Sequence, residues 1–218
     1  MSSMPRLIII RHGETEWSLN GRHTGRSDIP LTSRGEEQIK SKASSLMGPG
    51  KLIDTANLEV ILVSPRIRAH KTFHLLTEHL PEVPNHIVTE EVREWDYGNY
   101  EGLLSHEIKD IRKDSNWNIW VDGCPGGESA EEMTARVDGV VAKVREYHRQ
   151  WKEEGKGSRD VAIVAHGHFN RCLLARWLEM PLAHGTRFNV HPASVAVLSY
   201  NHDNLNEPAL QALNLNSS

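Results

Sequence analysis

The stretch Leu7-Ile-Ile-Ile-Arg-His-Gly13 is an apolar run that ends abruptly in two basic side chains and a glycine. Four consecutive apolar residues, three of them β-branched, are typical of a strand that is buried on both faces. Gly13 has no side chain and lets the backbone approach a ligand closely. The stretch therefore predicts a central strand that opens into a polar loop at its carboxyl end.

Two further segments repeat this pattern. Val60-Ile-Leu-Val63 precedes Ser64-Pro-Arg-Ile-Arg68, and Val161-Ala-Ile-Val-Ala165 precedes His166-Gly-His168. Helical segments separate the apolar runs, which indicates parallel strands joined by crossover helices. Ligands of parallel sheets bind beyond the carboxyl ends of the strands. We therefore expect arginine and histidine side chains from three strand ends to surround one crevice.

Capping residues and hydrophobic spacing predict the other elements. We expect one domain over residues 1–218, an α/β fold with a three-layer α/β/α sandwich and a mostly parallel central sheet. The further elements are helices from Thr32 or Ser33 to about Met47, after Pro65 to about Leu80, from Ser105 to about Lys113, from Ser129 toward Trp151 and from His166 to about Leu178, and strands at residues 86–89 and 194–200.

The composition argues against several partners and locations. The net charge of −4 leaves no basic stripe for a nucleic acid, and no apolar run is long enough to cross a membrane. The first six residues hold no apolar signal segment, and Cys124 and Cys172 form no paired motif. We expect a cytoplasmic protein, with the nucleus as a further location and homo-oligomer formation both left open.

The basic residues at the strand ends suit the chemistry of phosphate. Arg11 and Arg68 offer planar forks of donors that match phosphate oxygens. A neutral imidazole nitrogen can attack phosphorus and form a covalent intermediate, and His12 is placed for this role directly after Arg11. We expect the partner to be a small phosphorylated molecule.

Five motifs in order resemble the signatures of the histidine phosphatase superfamily, the phosphoglycerate mutase-like group. They are Arg11-His-Gly-Glu-Thr-Glu-Trp17, Thr24-Gly25 with the segment 28–35, Ser64-Pro-Arg-Ile-Arg68, Glu94-Trp-Asp-Tyr-Gly98 and His166-Gly-His168. Within the superfamily, Arg93-Glu-Trp95, Trp117-Asn-Ile-Trp120 and Glu207-Pro-Ala-Leu210 are similar to the fungal sedoheptulose-1,7-bisphosphatase type.

The resemblance implies a catalytic mechanism. His12 would attack phosphorus, Arg11, Arg68 and His166 would hold the phosphate, and Glu94 would be the general acid and base. No metal and no cofactor is expected, because arginines supply the positive charge. Trp95 and Tyr97 could instead pack in the core, and His168 could instead bond a backbone group at the start of its helix. The candidate substrate-binding residues are Ser18, Thr24, Gly25, Trp95, Tyr97, Gly167 and His168.

The function inferred from this resemblance is hydrolysis of a small phosphorylated sugar or polyol, with sedoheptulose 1,7-bisphosphate as the leading example. A phosphoglycerate mutase, or a phosphatase of other phosphometabolites or phosphoproteins, is the first alternative. The mutase is less favoured because Leu103-Leu-Ser105 stands where the mutases carry Asn-Lys. A phosphate-binding module without turnover is the second alternative. The sequence has no Cys-x5-Arg loop and no nucleotide P-loop, which excludes two other phosphate chemistries.

Overall fold

The central sheet has the predicted parallel core. A computed structural model describes residues 4–113 and 116–215, and their strands form one sheet in the order β3-β2-β4-β1-β5-β6. The first three pairs in this order are parallel and the last two are antiparallel. The strands are β1 (Leu7–Arg11), β2 (Leu58–Val63), β3 (His86–Val88), β4 (Asp160–Ala165), β5 (Val195–Tyr200) and β6 (Pro208–Leu215).

Helices cover both faces of this sheet. Alternate residues of β1 enter two different apolar clusters, because successive side chains of a strand point to opposite faces. One cluster contains α6 and α7, and the other contains α2 and α3. The predicted three-layer α/β/α sandwich is therefore confirmed. The helices are α1 (Glu16–Asn20), α2 (Ser33–Leu46), α3 (Ile67–Thr77), α4 (Ser105–Arg112), α5 (Ile119–Asp122), α6 (Ala130–Glu154) and α7 (Gly167–Trp177).

Local capping chemistry sets two of the predicted helix starts. The Thr32 side chain accepts a hydrogen bond from the Gly35 amide at the start of α2. Ser129 forms the expected capping box with Glu132, and α6 continues to Glu154, three residues beyond the predicted Trp151. Helix α3 ends at Thr77, before the predicted Leu80.

Strand β6 is an element that the sequence did not predict. Its residues are half-buried nearly throughout, so the period-two alternation that usually marks a strand is missing. It begins at Pro208 on the edge of the sheet, where a residue without an N–H is tolerated. Residues 1–3, on which part of the expected absence of a signal segment depends, lie outside the described residues. Within the described part of the chain, no helix has the length and hydropathy to span a membrane.

The loop after β1 packs directly on the first turn of α2. A Cβ atom added at Gly35 would lie 2.3 Å from the carbonyl oxygen of Glu14, and one added at Gly13 would lie 2.8 Å from the carbonyl oxygen of Gly35. The Thr32 amide also donates to the Glu14 carbonyl oxygen at 2.9 Å. Helix α2 therefore holds the polar loop in place through backbone contacts that have no room for side chains.

We predict that Gly35→Ala lowers the free energy of unfolding by about 1–3 kcal/mol, because the new methyl group displaces the loop. Gly139 is the matched control, since it is exposed in the middle of α6 and a Cβ atom there meets nothing within 4 Å. Gly139→Ala should raise the free energy of unfolding by about 0.5–1 kcal/mol. Urea denaturation measures both changes. Equal effects of the two substitutions would contradict this packing argument.

Candidate active site

The carboxyl ends of three parallel strands lie side by side. Arg11 in β1 pairs with Ala165 in β4, and Val63 in β2 pairs with Val164 in β4. The backbone amide of His12 donates to the Ala165 carbonyl oxygen at 2.9 Å. This register places the residues that follow each strand at one edge of the sheet, as the sequence predicted.

His12 has one ring nitrogen fixed and one available. Its Nδ1 lies 2.7 Å from the Gly13 carbonyl oxygen, which makes Nδ1–H the donor and leaves the lone pair on Nε2. The side chain is buried but contributes to the wall of a cavity. Burial, followed by the positive charges of Arg68 and Arg11, holds the pKa of His12 well below its ordinary value of 6.5. His12 is therefore a neutral imidazole suited to nucleophilic attack.

Arg11 lines this cavity and has one unpaired donor. Its Nη1 donates to the Val190 carbonyl oxygen at 2.6 Å, whereas its Nε is buried and has no hydrogen-bond partner in the described part of the chain. A Cβ atom at Gly167 would lie 3.3 Å from Cζ of Arg11, so the guanidinium packs against bare backbone. A buried N–H without a partner is costly, and an anion beside it would remove that cost.

Arg68 is almost fully buried and is held from three sides. Its Nε donates to Nδ1 of His166 at 3.2 Å. Its Nη1 donates to the Ser27 carbonyl oxygen and its Nη2 to the Thr24 carbonyl oxygen, each at 2.9 Å, with a longer contact of 3.3 Å to Gly25. A guanidinium carries five N–H groups, so donors remain for a ligand in the cavity. The fixed orientation suits Arg68 to the predicted role of holding an anion.

His166 lies behind Arg68 rather than on the cavity wall. It accepts from Arg68 at Nδ1, so Nε2–H must donate to Oγ of Ser64, which is 2.7 Å away. Its ring centroid is 5.2 Å from that of His12, but His166 does not line the cavity. In this arrangement His166 orients Arg68. The predicted contact between His166 and phosphate requires the ring to give up one of these two hydrogen bonds.

Glu94 is held at the first turn of α7. Its Oε1 accepts from the backbone amides of Trp95 and Phe169 at 2.9 and 2.8 Å, and its Oε2 accepts from the amide of His168 at 2.9 Å. The amides of a helix N-terminus favour a negative group. Glu94 lines the same cavity as His12. A carboxylate is therefore fixed within reach of whatever binds there.

The cavity has a volume of about 660 Å³ and contains most of the predicted site residues. This volume is in the range that accommodates a ligand much larger than a phosphate group. The described residues contain no cluster of three or more His, Cys, Asp and Glu side chains with the geometry of a metal site. The predicted site residues on the wall of the cavity are Arg11, His12, Ser18, Thr24, Arg68, Glu94, Tyr97, Gly167 and His168.

Two of the predicted substrate-binding residues lie elsewhere. Trp95 is fully buried, and its indole N–H donates to the Glu128 carbonyl oxygen at 2.9 Å in the core. Gly25 is also buried, and a Cβ atom there would lie 2.5 Å from the Trp95 carbonyl oxygen. Neither residue lines this cavity, because the Trp95 indole packs in the core and Gly25 belongs to the loop whose carbonyl groups hold Arg68. Their contacts with a substrate stay predictions.

Tyr97 and His168 form an aromatic part of the cavity wall. The hydroxyl of Tyr97 lies 2.6 Å from Nδ1 of His168. Burial raises the pKa of Tyr97 and lowers that of His168, so a Tyr97 O–H donates to a neutral imidazole. His168 also stacks on His23, with ring centroids 6.2 Å apart and an interplanar angle of 10°. Tyr97 and His168 are therefore part of the cavity wall and not only of the core.

Sequence reasoning missed several cavity residues. His23 and three cationic residues line the wall, although none belongs to a motif read from the sequence. Arg171 could have been found, because it follows Gly167 by four residues and therefore lies on the same helical face. The three cationic residues are Arg22, Lys109 and Arg171.

We predict opposite titration shifts for two histidines. His12 should titrate below pH 6.5, whereas His202 is exposed and its hydrogen bond to Glu207 raises its pKa above 6.5. As the pH falls below 6.5, the unfolded chain protonates at His12 and the folded chain does not, so His12 lowers stability in that range. NMR of the imidazole nitrogens measures both. A His12 midpoint at or above 6.5 would contradict the neutral nucleophile.

Several known proteins are similar to this chain in sequence and in fold. The sequence profile of the Histidine phosphatase superfamily (branch 1) matches residues 7–215. A sedoheptulose 1,7-bisphosphatase of Saccharomyces cerevisiae is 33% identical over 252 residues, covering 96% of this chain and 93% of its own length. An acid phosphatase of Mycobacterium tuberculosis is 39% identical over 197 residues, covering 90% and 87%.

A solved structure agrees with these relatives. The product of an open reading frame of Mycobacterium tuberculosis has a TM-score of 0.80 and 35% identity, covering 98% of this chain and 99% of that one. The predicted resemblance to the superfamily and to the fungal bisphosphatase type is confirmed. The relatives are named phosphatases, so the chain is an enzyme that hydrolyses phosphoesters. The chain belongs to the histidine phosphatase superfamily (branch 1).

Proposed function

We propose that this phosphatase hydrolyses a small phosphorylated sugar, with a sugar bisphosphate such as sedoheptulose 1,7-bisphosphate as its preferred substrate. One observation carries the phosphatase mechanism: His12, whose Nδ1 is held by the Gly13 carbonyl oxygen so that Nε2 keeps its lone pair, lines one cavity together with Arg11, Arg68 and Glu94. The relative named as a sedoheptulose 1,7-bisphosphatase supports the substrate, because it aligns over nearly the whole chain.

The first step transfers the phosphoryl group to His12. Nε2 attacks phosphorus, a P–N bond forms, and the P–O bond to the sugar breaks with its electron pair on the leaving oxygen. Arg11 and Arg68 neutralise the phosphoryl oxygens. Glu94 supplies the proton to the leaving oxygen.

The second step releases inorganic phosphate. Glu94, now ionised, takes a proton from water, and the resulting hydroxide attacks phosphorus and breaks the P–N bond. The three amides that donate to Glu94 suit this base role, because they stabilise its negative charge between the two steps. Two arginines supply the positive charge that a divalent cation supplies in other phosphoryl-transfer enzymes. We therefore propose metal-independent turnover. We also propose the cytoplasm as the location of the enzyme.

A phosphoglycerate mutase is the second candidate. A relative of that name from Cytophaga hutchinsonii is 30% identical and covers 78% of this chain and 76% of its own length. Phosphate release from sugar bisphosphates, sugar monophosphates and 3-phosphoglycerate, with and without 2,3-bisphosphoglycerate, separates the two candidates. The phosphatase releases phosphate without the bisphosphoglycerate, whereas isomerisation that depends on it would favour the mutase.

We predict that brief incubation with ³²P-labelled sugar bisphosphate leaves acid-labile label on the wild-type protein and none on His12→Ala. Glu94→Gln should retain several-fold more label than the wild type when para-nitrophenyl phosphate is the donor. This donor has a good leaving group, so only the hydrolysis step needs the carboxylate. Filter binding after acid and alkali treatment measures the label. EDTA should leave turnover unchanged.

Two outcomes would contradict the proposed mechanism. Label that remains on His12→Ala would place the nucleophile elsewhere. Label that survives acid but is released by alkali would indicate a serine or threonine phosphoester and not phosphohistidine.

A further inference from the structure

The cavity carries more positive charge than one phosphoryl group needs. Glu94 is the single carboxylate among the described residues that line it. A phosphoryl group bound at His12 uses two of the arginines and leaves the other cations without a phosphate, although Arg22 has an ion pair with Glu107. The cationic residues on the wall are Arg11, Arg22, Arg68, Lys109 and Arg171.

Lys109 is a cation of the cavity wall that has no ion-pair partner among the described residues. It lies on α4, one helical turn after Ser105, and both residues line the cavity. Across residues 4–113 and 116–215, no carboxylate lies within ion-pair distance of Lys109, although several other lysines form such pairs, for example Lys40 with Glu36 and Lys143 with Glu91. Its ammonium group is therefore available to a ligand.

Arg22 is fixed next to the same helix. Its Nη1 donates to the Gly102 carbonyl oxygen at 2.6 Å and lies 3.4 Å from Oε2 of Glu107. The same Oε2 accepts from the Leu104 amide at 2.7 Å at the start of α4. Arg22, Ser105 and Lys109 thus form one side of the cavity, which we call the α4 wall.

Arg171 belongs to a different part of the cavity. Its guanidinium lies over the ring of Trp120, 4.8 Å from the centroid, and donates to the carbonyl oxygens of Gly185 and Thr186. It lies on α7, one helical turn after Gly167, and Gly167 packs against the Arg11 guanidinium. The α4 wall is consequently a separate basic surface in the cavity.

We propose that the α4 wall binds a second phosphoryl group, on the end of the substrate that does not react. This rests on the proposed function, because it assigns the remote phosphate of a bisphosphate substrate to Lys109 and Arg22. The cavity volume of about 660 Å³ leaves room for a sugar between the two phosphates. A flexible ammonium, a hydroxyl and a guanidinium suit a tetrahedral anion with several oxygens.

Binding measurements on a protein that does not turn over test the proposal. The His12→Ala protein is titrated by calorimetry with fructose 1,6-bisphosphate, fructose 6-phosphate and 3-phosphoglycerate, alone and with Lys109→Ala, Lys109→Arg or Lys40→Ala added. Lys40 is the matched control, because it is a lysine on α2 that does not line the cavity. Phosphate release is measured separately on the protein with His12 intact.

Lys109→Ala should weaken the binding of fructose 1,6-bisphosphate about tenfold, as expected for one charge-assisted hydrogen bond to phosphate. Binding of fructose 6-phosphate should change less than twofold. Lys109→Arg should restore most of the affinity, and Lys40→Ala should have no effect.

Other outcomes would overturn the second phosphate site. They are an equal loss for both fructose phosphates, no loss for the bisphosphate, or a larger loss for 3-phosphoglycerate, which would assign the α4 wall to a carboxylate. Failure of the proposed function is recognised separately, because the enzyme with His12 intact would then release no phosphate from any of these compounds. The selective effect of Lys109→Ala on binding does not depend on that release.

Discussion

The guanidinium groups of Arg11 and Arg68 lie near the neutral imidazole of His12, at the shared carboxyl end of three parallel strands. The rest of the site is arranged around these three groups. Arg68 and Arg11 lower the pKa of His12, in addition to the effect of its burial. Burying cations without a carboxylate partner is costly, and backbone carbonyl groups offset only part of that cost. A phosphate in the cavity would complete the hydrogen bonding of Arg11 Nε. In the proposed function, the phosphate of the substrate is the hydrogen-bond partner that this arrangement lacks.

The position of Arg68 depends on a loop that another carboxylate orders. Glu101 accepts from the amides of Gly25 and Ser27, at 2.9 and 3.0 Å from its Oε1. The carbonyl groups of the same loop then point at the Arg68 guanidinium. Gly25 is needed because its neighbours leave no space for a side chain. Specific residues outside the cavity thus fix the geometry of a residue inside it.

The sequence predicted the parts of the site that depend on chain order. Apolar runs followed by basic residues predicted the strands, and the parallel sheet then required Arg11, His12 and the residues after β2 and β4 to lie at one edge. The α2 and α6 starts followed from Thr32 and Ser129, because their caps are local. The order of the strands along the chain and the local capping residues were sufficient to predict these features.

Features that depend on side-chain direction were not predictable in the same way. The pattern of residues 94–97 did not reveal that Glu94 and Tyr97 line the cavity while Trp95 enters the core. His166 uses both ring nitrogens inside the protein, a pairing that only the three-dimensional positions of Ser64 and Arg68 define. Lys109 lines the cavity through the packing of α4, although it belongs to no motif of the sequence.

The most direct test of the central claim is a crystal structure of the protein with orthovanadate, which mimics the trigonal bipyramidal phosphoryl group in transfer. We predict vanadium bonded to Nε2 of His12, with vanadate oxygens within hydrogen-bond distance of Arg11 Nε and of the Arg68 guanidinium. A vanadate bound in the cavity away from His12, with Arg11 Nε still lacking a partner, would contradict the account.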